Sequence, residues 1–200
     1  MTRAVAATGE NGLMTDNLDP AAPPTTSRVS RRLLWGVFAL AAVVIAADQL
    51  SKWWAETNLG DGTVIPVIGD FISFQLVYNP GAAFSIGEGY TWVLTIIAAI
   101  AVVAIVRFAW GIESRAWAFA LGLLLGGAIT HLGDRLFREP GFARGHVVDF
   151  INYGGFFIGN IADIALVGGA IMIVLISIMG IAAKREPVAA SDADAAASSD

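Results

Sequence analysis

The stretch that decides the fold is Gly126–Arg135, which reads Gly-Gly-Ala-Ile-Thr-His-Leu-Gly-Asp-Arg. It starts as a run of small and apolar residues and ends on Asp134 and an arginine. A second stretch, Asn160–Asp163, opens the last apolar run and carries another aspartate. A carboxylate at membrane depth costs about 2.5–3.5 kcal/mol on insertion scales, so each is a functional hypothesis. Two of them at the ends of consecutive apolar runs predict a carboxylate pair.

The composition is that of a polytopic membrane protein. The chain has 200 residues, of which 56% are hydrophobic and only 14% are charged, which is atypical of a soluble domain. The net charge of −5 comes largely from acidic residues near the two ends. The sequence contains no basic patch large enough to suggest a nucleic-acid partner. The absence of cysteine excludes disulfides, thiolate metal sites and a cysteine nucleophile.

Apolar segments of nearly membrane-spanning length predict a mainly α fold with four transmembrane helices. The segments are Leu33–Trp54, Trp92–Trp110, Ala116–Leu132 and Ile161–Ala183. The third is short and rich in glycine, which permits close helix packing. We expect one transmembrane domain at 31–184, flanked by disordered tails at 1–30 and 185–200.

Basic residues indicate the orientation of the helices. They cluster before the first segment, between the second and third, and after the fourth: Arg28, Arg31, Arg32, Arg107, Arg115, Lys184 and Arg185. Positive charge favours the cytoplasmic side, so both tails are predicted to be cytoplasmic. The connections 55–91 and 134–159 are then external, although the second contains arginines. Such arginines suggest a local partner, a carboxylate or a lipid phosphate.

The external connections differ in their patterns. Val64–Ile68 and Phe71–Tyr78 read as short strands around a Gly-Asp turn, which predicts a small β-element on the outer membrane surface. The second connection contains Pro140–Phe142 and Tyr153–Phe157, where glycine, proline and aromatic residues suit a mobile interfacial flap.

The carboxylates of Asp134 and Asp163 are predicted to meet near the outer face of the bundle. Two carboxyl groups in a poorly hydrated site share one proton. The charged member can then activate a water, and the neutral member can polarise a carbonyl, which is the chemistry of peptide hydrolysis. The alternative is that they are satisfied separately, Asp134 by Arg135 and Asp163 as a helix cap.

Two further patterns have both a plain and a functional interpretation. Asp48 and Lys52 stand four residues apart, which predicts an ion pair on one helix face with the lysine reaching toward the interface. Catalysis is the other interpretation of this pair. The stretch Asn79–Ser85 is a polar turn, or else a loop that contacts substrate, because its small residues let a peptide approach.

Asp149 and the histidines are less specific. Asp149 is an isolated acid between apolar neighbours, and it suits either an anchoring hydrogen bond or catalysis. His131 precedes Asp134 by three residues and is predicted to orient that carboxylate. His131 and His146 are weak evidence for a metal site because no acid lies at ligand spacing. No metal or organic cofactor is expected.

Taken together, the motifs resemble a known family. Five of them occur in order: Asp48–Lys52, Asn79–Phe84, Gly126–Leu136, Val148–Phe150 and Asn160–Asp163. Over residues 33–183 the chain closely resembles bacterial lipoprotein signal peptidase, or signal peptidase II. The resemblance implies an aspartic endopeptidase of the cytoplasmic membrane, and nothing in the sequence demands more than a monomer. Such an enzyme cuts diacylglyceryl-modified prolipoproteins just before the lipidated cysteine, near the outer face.

The resemblance also implies roles for individual residues. It matches the catalytic dyad to Asp134 and Asp163. The residues expected to support the site or contact substrate are Asp48, Lys52, Asn79, Gly81, His131, Arg135, Asp149 and Asn160. Two departures stand out: the family usually has Gly-Asn at Thr130-His131 and phenylalanine at Gly159.

Two rival functions remain open. A membrane carrier could use Asp48, Asp134 and Asp163 as a path for protons or cations, although no internal repeat supports a transporter. A catalytically altered paralogue could bind lipoprotein precursors without cutting them. Cleavage, ion flux and binding assays distinguish the three.

Overall fold

The computed structural model describes residues 26–81 and 89–184, with side chains from residue 31 onward. The elements in chain order are α1 (Thr26–Leu59), β1 (Val64–Ile68), β2 (Ile72–Asn79), α2 (Thr91–Ala109), α3 (Arg115–Phe137), β3 (Val147–Tyr153), β4 (Phe157–Gly159) and α4 (Ile161–Ile178). Residues 1–25 and 185–200 of the predicted tails, and the part of the Asn79 turn from residue 82 to residue 85, lie outside the described residues. The predicted disorder of residues 26–30 was wrong, because they form the first turns of α1.

The four helices are each long and apolar enough to cross a membrane, which confirms the predicted multi-pass fold. Their bounds differ from the apolar segments. α3 continues past Leu132 to Phe137, because the polar side chains of its last turns have buried partners and do not need bulk water. α4 ends at Ile178, earlier than predicted, and a positive φ at Gly180 follows, as is common at a helix end.

α3 is the central helix, in contact with each of the other three. Its paired glycines face opposite neighbours. A Cβ added to Gly126 would lie 2.6 Å from the Cβ of Val44 on α1, and one added to Gly127 would lie 2.6 Å from Cγ of Leu166 on α4. Both distances are below any normal contact, so only glycine permits this approach. The close packing predicted from the glycine-rich run is confirmed.

The sheet is larger than predicted. It is antiparallel in the order β1-β2-β3-β4, so the second connection contributes two of its strands. The segments predicted to form the flap, Pro140–Phe142 and Tyr153–Phe157, therefore lie before β3 and at the turn between β3 and β4. β3 is a run of β-branched and aromatic residues that is buried on both faces from Val147 to Ile151, and it pairs with β2 through registers such as Ile72 with Tyr153.

An aromatic cluster fixes the sheet against the end of α1. The rings of Trp54 on α1, Phe74 on β2 and Phe150 on β3 lie 5.4–6.5 Å apart between centroids. Edge and tilted contacts of this kind are favourable beyond the area they bury. Because Asp149 precedes Phe150, the cluster also fixes the height of that carboxylate over the ends of α3 and α4.

Candidate active site

A buried ion-pair cluster lies between α1 and α3, and we define it as Asp48, Lys52, Asp134 and Arg138. Nζ of Lys52 is 2.6 Å from Oδ2 of Asp48 and 2.7 Å from Oδ2 of Asp134. Nε of Arg138 is 2.8 Å from Oδ1 of Asp134. The i to i+4 pair predicted for Asp48 and Lys52 is confirmed. The predicted reach of Lys52 toward the interface is wrong, because its side chain is 0% exposed.

Both oxygens of Asp134 are occupied. Besides the two cations, Gln49 donates to Oδ1 at 3.1 Å and the backbone N–H of Val148 approaches Oδ2 at 3.4 Å. The residue is only 2% exposed. The alternative raised for Asp134, that a cation neutralises it apart from Asp163, fits this geometry. The cations are Lys52 and Arg138, however, and not Arg135.

The other oxygen of Asp48 ties α1 to α4. Its Oδ1 accepts a hydrogen bond from the backbone N–H of Ala162 at 2.9 Å. Helix N-termini leave such N–H groups without partners in their own helix, and a carboxylate there also interacts favourably with the helix dipole. Asp48 therefore anchors the beginning of α4.

Asp163 belongs to a capping box at the start of α4. The side chain of Asn160 accepts from the N–H of Asp163 at 3.0 Å, and Oδ2 of Asp163 accepts from the N–H of Asn160 at 2.9 Å. The helix cap raised as the alternative for Asp163 is therefore also present. The cap uses only Oδ2, however, and the carboxylate stays 26% exposed, so Oδ1 faces open space beside His131.

Asp149 on β3 is held by two amides. Its Oδ1 accepts from Nδ2 of Asn160 at 2.7 Å, and its Oδ2 accepts from Nδ2 of Asn79 at 2.9 Å. The anchoring hydrogen bond predicted for this acid is present. The pKa of Asp149 is raised to about 6, mainly by burial and also by the charge of Asp163, while the two amides oppose the rise.

Asp149 and Asp163, which we call the cavity pair, line one small cavity. Its volume is about 60 Å³, and its other lining residues are Asn79, Gly81, His131, Arg135, Val147 and Phe157. The cavity is polar and large enough for a water molecule. Asn160 bonds to both members of the pair and thereby sets their relative position. Asp134 is not among the lining residues.

Arg135 fixes the loops around this cavity. Its guanidinium donates to the backbone carbonyls of Pro80 at 3.1 Å and Gly145 at 3.2 Å, and also to that of Gly81. The buried side chain therefore joins the two external connections through their backbones. This contact explains why an arginine remains on the side that the charge pattern assigns to the exterior.

Both departures from the family pattern touch Asp163. Nε2 of His131 lies 3.1 Å from Oδ1 of Asp163, so the prediction that His131 orients Asp134 was wrong in its target. One helical turn separates His131 from Asp134, but the imidazole faces α4. At Gly159 an added Cβ would lie 2.8 Å from Oδ2 of Asp163 and 2.7 Å from the Phe157 ring.

The sequence predicted a carboxylate partner for the arginines of the second connection, which Arg138 confirms, but it indicated no role for Gln49 or Glu56. Gln49 and Arg138 bond to Asp134 directly, and Glu56 pairs with Arg138 at 2.6 Å between Oε1 and Nη1. The spacing of Arg138, four residues after Asp134 on a helix, was an available signal. Gln49 and Glu56 had no such signal, because their partners are on another helix.

An apolar groove on α4 opens next to the cavity. It has a volume of about 690 Å³ and is lined by Tyr153, Phe156, Phe157, Asp163, Ile164, Val167, Gly168 and Ile171. Phe157 and Asp163 line both the groove and the cavity. An apolar chain in the groove would therefore end beside the carboxylates.

Comparison with known proteins identifies a family that this chain resembles along most of its length. The family profile described as Signal peptidase (SPase) II matches residues 40–179. A lipoprotein signal peptidase of Rhodococcus jostii is 45% identical over 83% of this chain and 83% of its own length. One of Mycobacterium avium is 48% identical over 72% of this chain and 79% of its own.

Solved structures agree as well. A bacterial membrane enzyme solved by the in meso method at 2.3 Å resolution is 30% identical, with a TM-score of 0.65, covering 76% of this chain and 92% of its own. A second, solved at 1.9 Å, is 31% identical with a TM-score of 0.61, covering 70% and 90% respectively. Because the profile spans most of the chain and close relatives align along it, the chain belongs to the signal peptidase II family.

Proposed function

We propose that this protein is a membrane aspartic endopeptidase that removes signal peptides from diacylglyceryl-modified prolipoproteins, cutting before the lipidated cysteine. The observation that carries the chemistry is the cavity pair, two carboxylates bridged by Asn160 around a space for one water. Family membership supports the substrate class. The substrate and the aspartic mechanism remain proposals for this chain.

The catalytic dyad we propose is Asp149 with Asp163, in place of the pair Asp134 and Asp163 inferred from sequence. Two features support the change. Asp134 has both oxygens engaged by partners that include two cations, so it offers no free basic oxygen. Asp149 shares a cavity with Asp163, and its pKa, raised to about 6 by burial, suits a carboxyl group that holds a proton.

The reaction follows from this division of labour. Asp163 takes a proton from the cavity water as the water oxygen bonds to the scissile carbonyl carbon, while Asp149 gives its proton to the carbonyl oxygen. In the resulting gem-diol, Asp163 returns its proton to the amide nitrogen, the C–N bond breaks, and Asp149 recovers a proton from a diol hydroxyl. The products are a free carboxyl group and a free amine, and the dyad is restored.

The apolar groove supplies the binding site for the lipid-modified substrate. Its α4 wall presents Ile164, Val167 and Ile171, which suit an acyl chain and not a polar side chain. A substrate held in the bilayer by its own lipid is confined in two dimensions, so positioning needs little protein surface.

We also propose that both termini are cytoplasmic and that the cavity lies near the outer face. The ends of α1 and α3 lie against the sheet, α4 begins directly after β4, and Thr91 at the start of α2 donates to the carbonyl of Pro80 just after β2. The opposite ends carry basic residues: Arg31, Arg32, Arg107, Arg115 and Lys184. The positive-inside rule places those ends in the cytoplasm.

Purified protein in detergent, mixed with a diacylglyceryl prolipoprotein, tests the proposal. Mass spectrometry should find a new N-terminus at the lipidated cysteine, and Asp149→Asn and Asp163→Asn should give no product. Intact substrate that co-purifies with the wild type would instead favour a binding paralogue. Ion flux in proteoliposomes, lost on substitution of Asp48, would favour the carrier.

A further inference from the structure

The contact between His131 and Asp163 places an imidazole beside the proposed base. Nε2 of His131 is 3.1 Å from Oδ1 of Asp163, and the side chains are 21% and 26% exposed. The other oxygen, Oδ2, already accepts the N–H of Asn160. Oδ1 is thus the oxygen left for the attacking water, and His131 touches this oxygen.

The charged and titratable groups around the imidazole come from three elements. Asp163 belongs to α4, Asp149 and Tyr153 to β3, and Arg135 to the next turn of α3. Burial is the main cause that raises the pKa of Asp149, and the charge of His131 opposes that rise. The imidazole therefore acts electrostatically on both members of the cavity pair, although it contacts only one.

We infer that His131 is a positioning residue whose protonated imidazole keeps Asp163 in the carboxylate form and so extends cleavage to lower pH. This inference rests on the proposed function of the cavity pair. No reacting proton passes through His131. When neutral, the ring contributes only a hydrogen bond, which an amide could replace. When protonated, it contributes a positive charge, which an amide cannot.

The size of the effect follows from ordinary electrostatics. A dyad that works with one proton is inactivated when a second proton binds, which produces the acid limb of the pH profile. An imidazole ordinarily titrates near pH 6.5, so the charge is present where that limb lies. An opposite charge in contact shifts a carboxyl titration by about one to three pH units. Because both groups are partly exposed, solvent weakens this interaction, and its expected result is a displacement of the acid limb of the pH profile.

The first test compares pH profiles of kcat/KM for the wild type and His131→Asn. At pH values where imidazole is neutral, the two should agree within about threefold, since the amide can replace the hydrogen bond. The acid limb of His131→Asn should lie at higher pH than that of the wild type. His146→Asn is the control, because His146 does not line the cavity and its removal should leave the limb in place.

Coincident acid limbs in the wild type and His131→Asn would overturn the inference. So would an equal loss of kcat/KM at every pH, because that result indicates only packing or hydrogen bonding. A shift of equal size in His146→Asn would show that histidine charge acts through the whole protein and not through this contact.

The second test needs no turnover. An infrared titration follows the band of the protonated carboxyl groups, and the part lost in Asp163→Asn belongs to the dyad. This part should appear at higher pH in His131→Asn than in the wild type. If the wild type cleaves nothing but the band shifts, the peptidase proposal fails and the imidazole coupling stands. If cleavage occurs and the band does not shift, the peptidase proposal stands and the imidazole coupling fails.

Discussion

The ion-pair cluster and the cavity pair contain the same kind of group in opposite settings. In the cluster, Asp48 and Asp134 are buried against Lys52, and Arg138 adds a second cation. In the cavity pair, amides, a backbone N–H and an imidazole are the partners. Among the described residues, no lysine or arginine forms an ion pair with Asp149 or Asp163. Carboxylates paired with lysine or arginine hold helices together, whereas carboxylates held by amides, a backbone N–H and an imidazole keep a proton available for chemistry.

The largest expected difference concerns activity. Asp149→Asn and Asp163→Asn should each lower kcat/KM by at least about 10³-fold, because each removes a general acid or base. Asp134→Asn should keep at least about a tenth of the wild-type kcat/KM in the folded fraction, since the reaction does not use it. Cleavage of a diacylglyceryl peptide by monodisperse protein measures all three.

One result would reverse the assignment of Asp149 and not Asp134 to the dyad. If Asp134→Asn were as inactive as Asp163→Asn while retaining the thermal midpoint of the wild type, the dyad would include Asp134 and the cluster would be catalytic.

The second prediction concerns the stability of the cluster. Lys52→Met should lower the free energy of unfolding by about 3–5 kcal/mol, because it leaves buried carboxylates without their shared cation. Adding Asp134→Asn should recover part of the loss, since one stranded charge is then removed. Thermal unfolding in detergent measures the cycle, with the exposed Lys184→Met as control. Additive effects in the double variant would exclude coupling across this contact.

The third prediction is a pH dependence of stability. A carboxyl group whose pKa is higher in the folded protein binds its proton more tightly there, so it favours folding at low pH. For Asp149 this contribution is lost as the pH rises from about 4, the ordinary pKa of an aspartate, to about 6, the pKa of Asp149 in the folded protein. The stability of the wild type relative to Asp149→Asn should therefore fall by about 2 kcal/mol over that window.

The thermal midpoints of the wild type and Asp149→Asn, measured in the same series of buffers, give this stability difference at each pH. The titration of all other groups is common to both proteins and cancels. A difference that stays constant, or grows with pH, would show that Asp149 is not a carboxyl of raised pKa.

The smallest effect is expected at Gly159. Gly159→Ala places a methyl group against Oδ2 of Asp163 and the Phe157 ring, so the carboxylate or the ring must move. We expect kcat/KM to fall about tenfold from this misplacement, with little change in the thermal midpoint. Gly36→Ala on α1 is the matched control, because its Cβ would meet nothing within 4 Å and Gly36 lines neither the cavity nor the groove. Equal activities would show that Phe157 alone adjusts.

The helices and the first hairpin were predictable because their signals are local. Length and hydropathy define a membrane segment, and alternation defines strands such as β2. The glycine pair Gly126-Gly127 also indicated close packing correctly. β3 and β4 were not predicted, because the glycine and aromatic residues in 134–159 are also typical of a mobile loop.

The site was predictable in its residues but not in their pairing. Every candidate with a described side chain lies in the cluster, around the cavity pair, or on the loops that Arg135 holds. Sequence cannot show which carboxylate faces which cation, because the contact of Lys52 with Asp134 spans 82 positions. Asp149 looked like an isolated acid for the same reason: its amide partners, Asn79 and Asn160, are 70 and 11 positions away.

The bond from Asp48 to the N–H of Ala162 has a consequence for biogenesis. The two residues are 114 positions apart, so the ribosome makes the anchor on the first helix long before the helix that it anchors. Asp163 sits one residue beyond that bond and reaches its position only when α4 has docked. A nascent or half-inserted chain therefore lacks one carboxylate of the proposed dyad, and the cavity pair is complete only when the membrane helices have assembled.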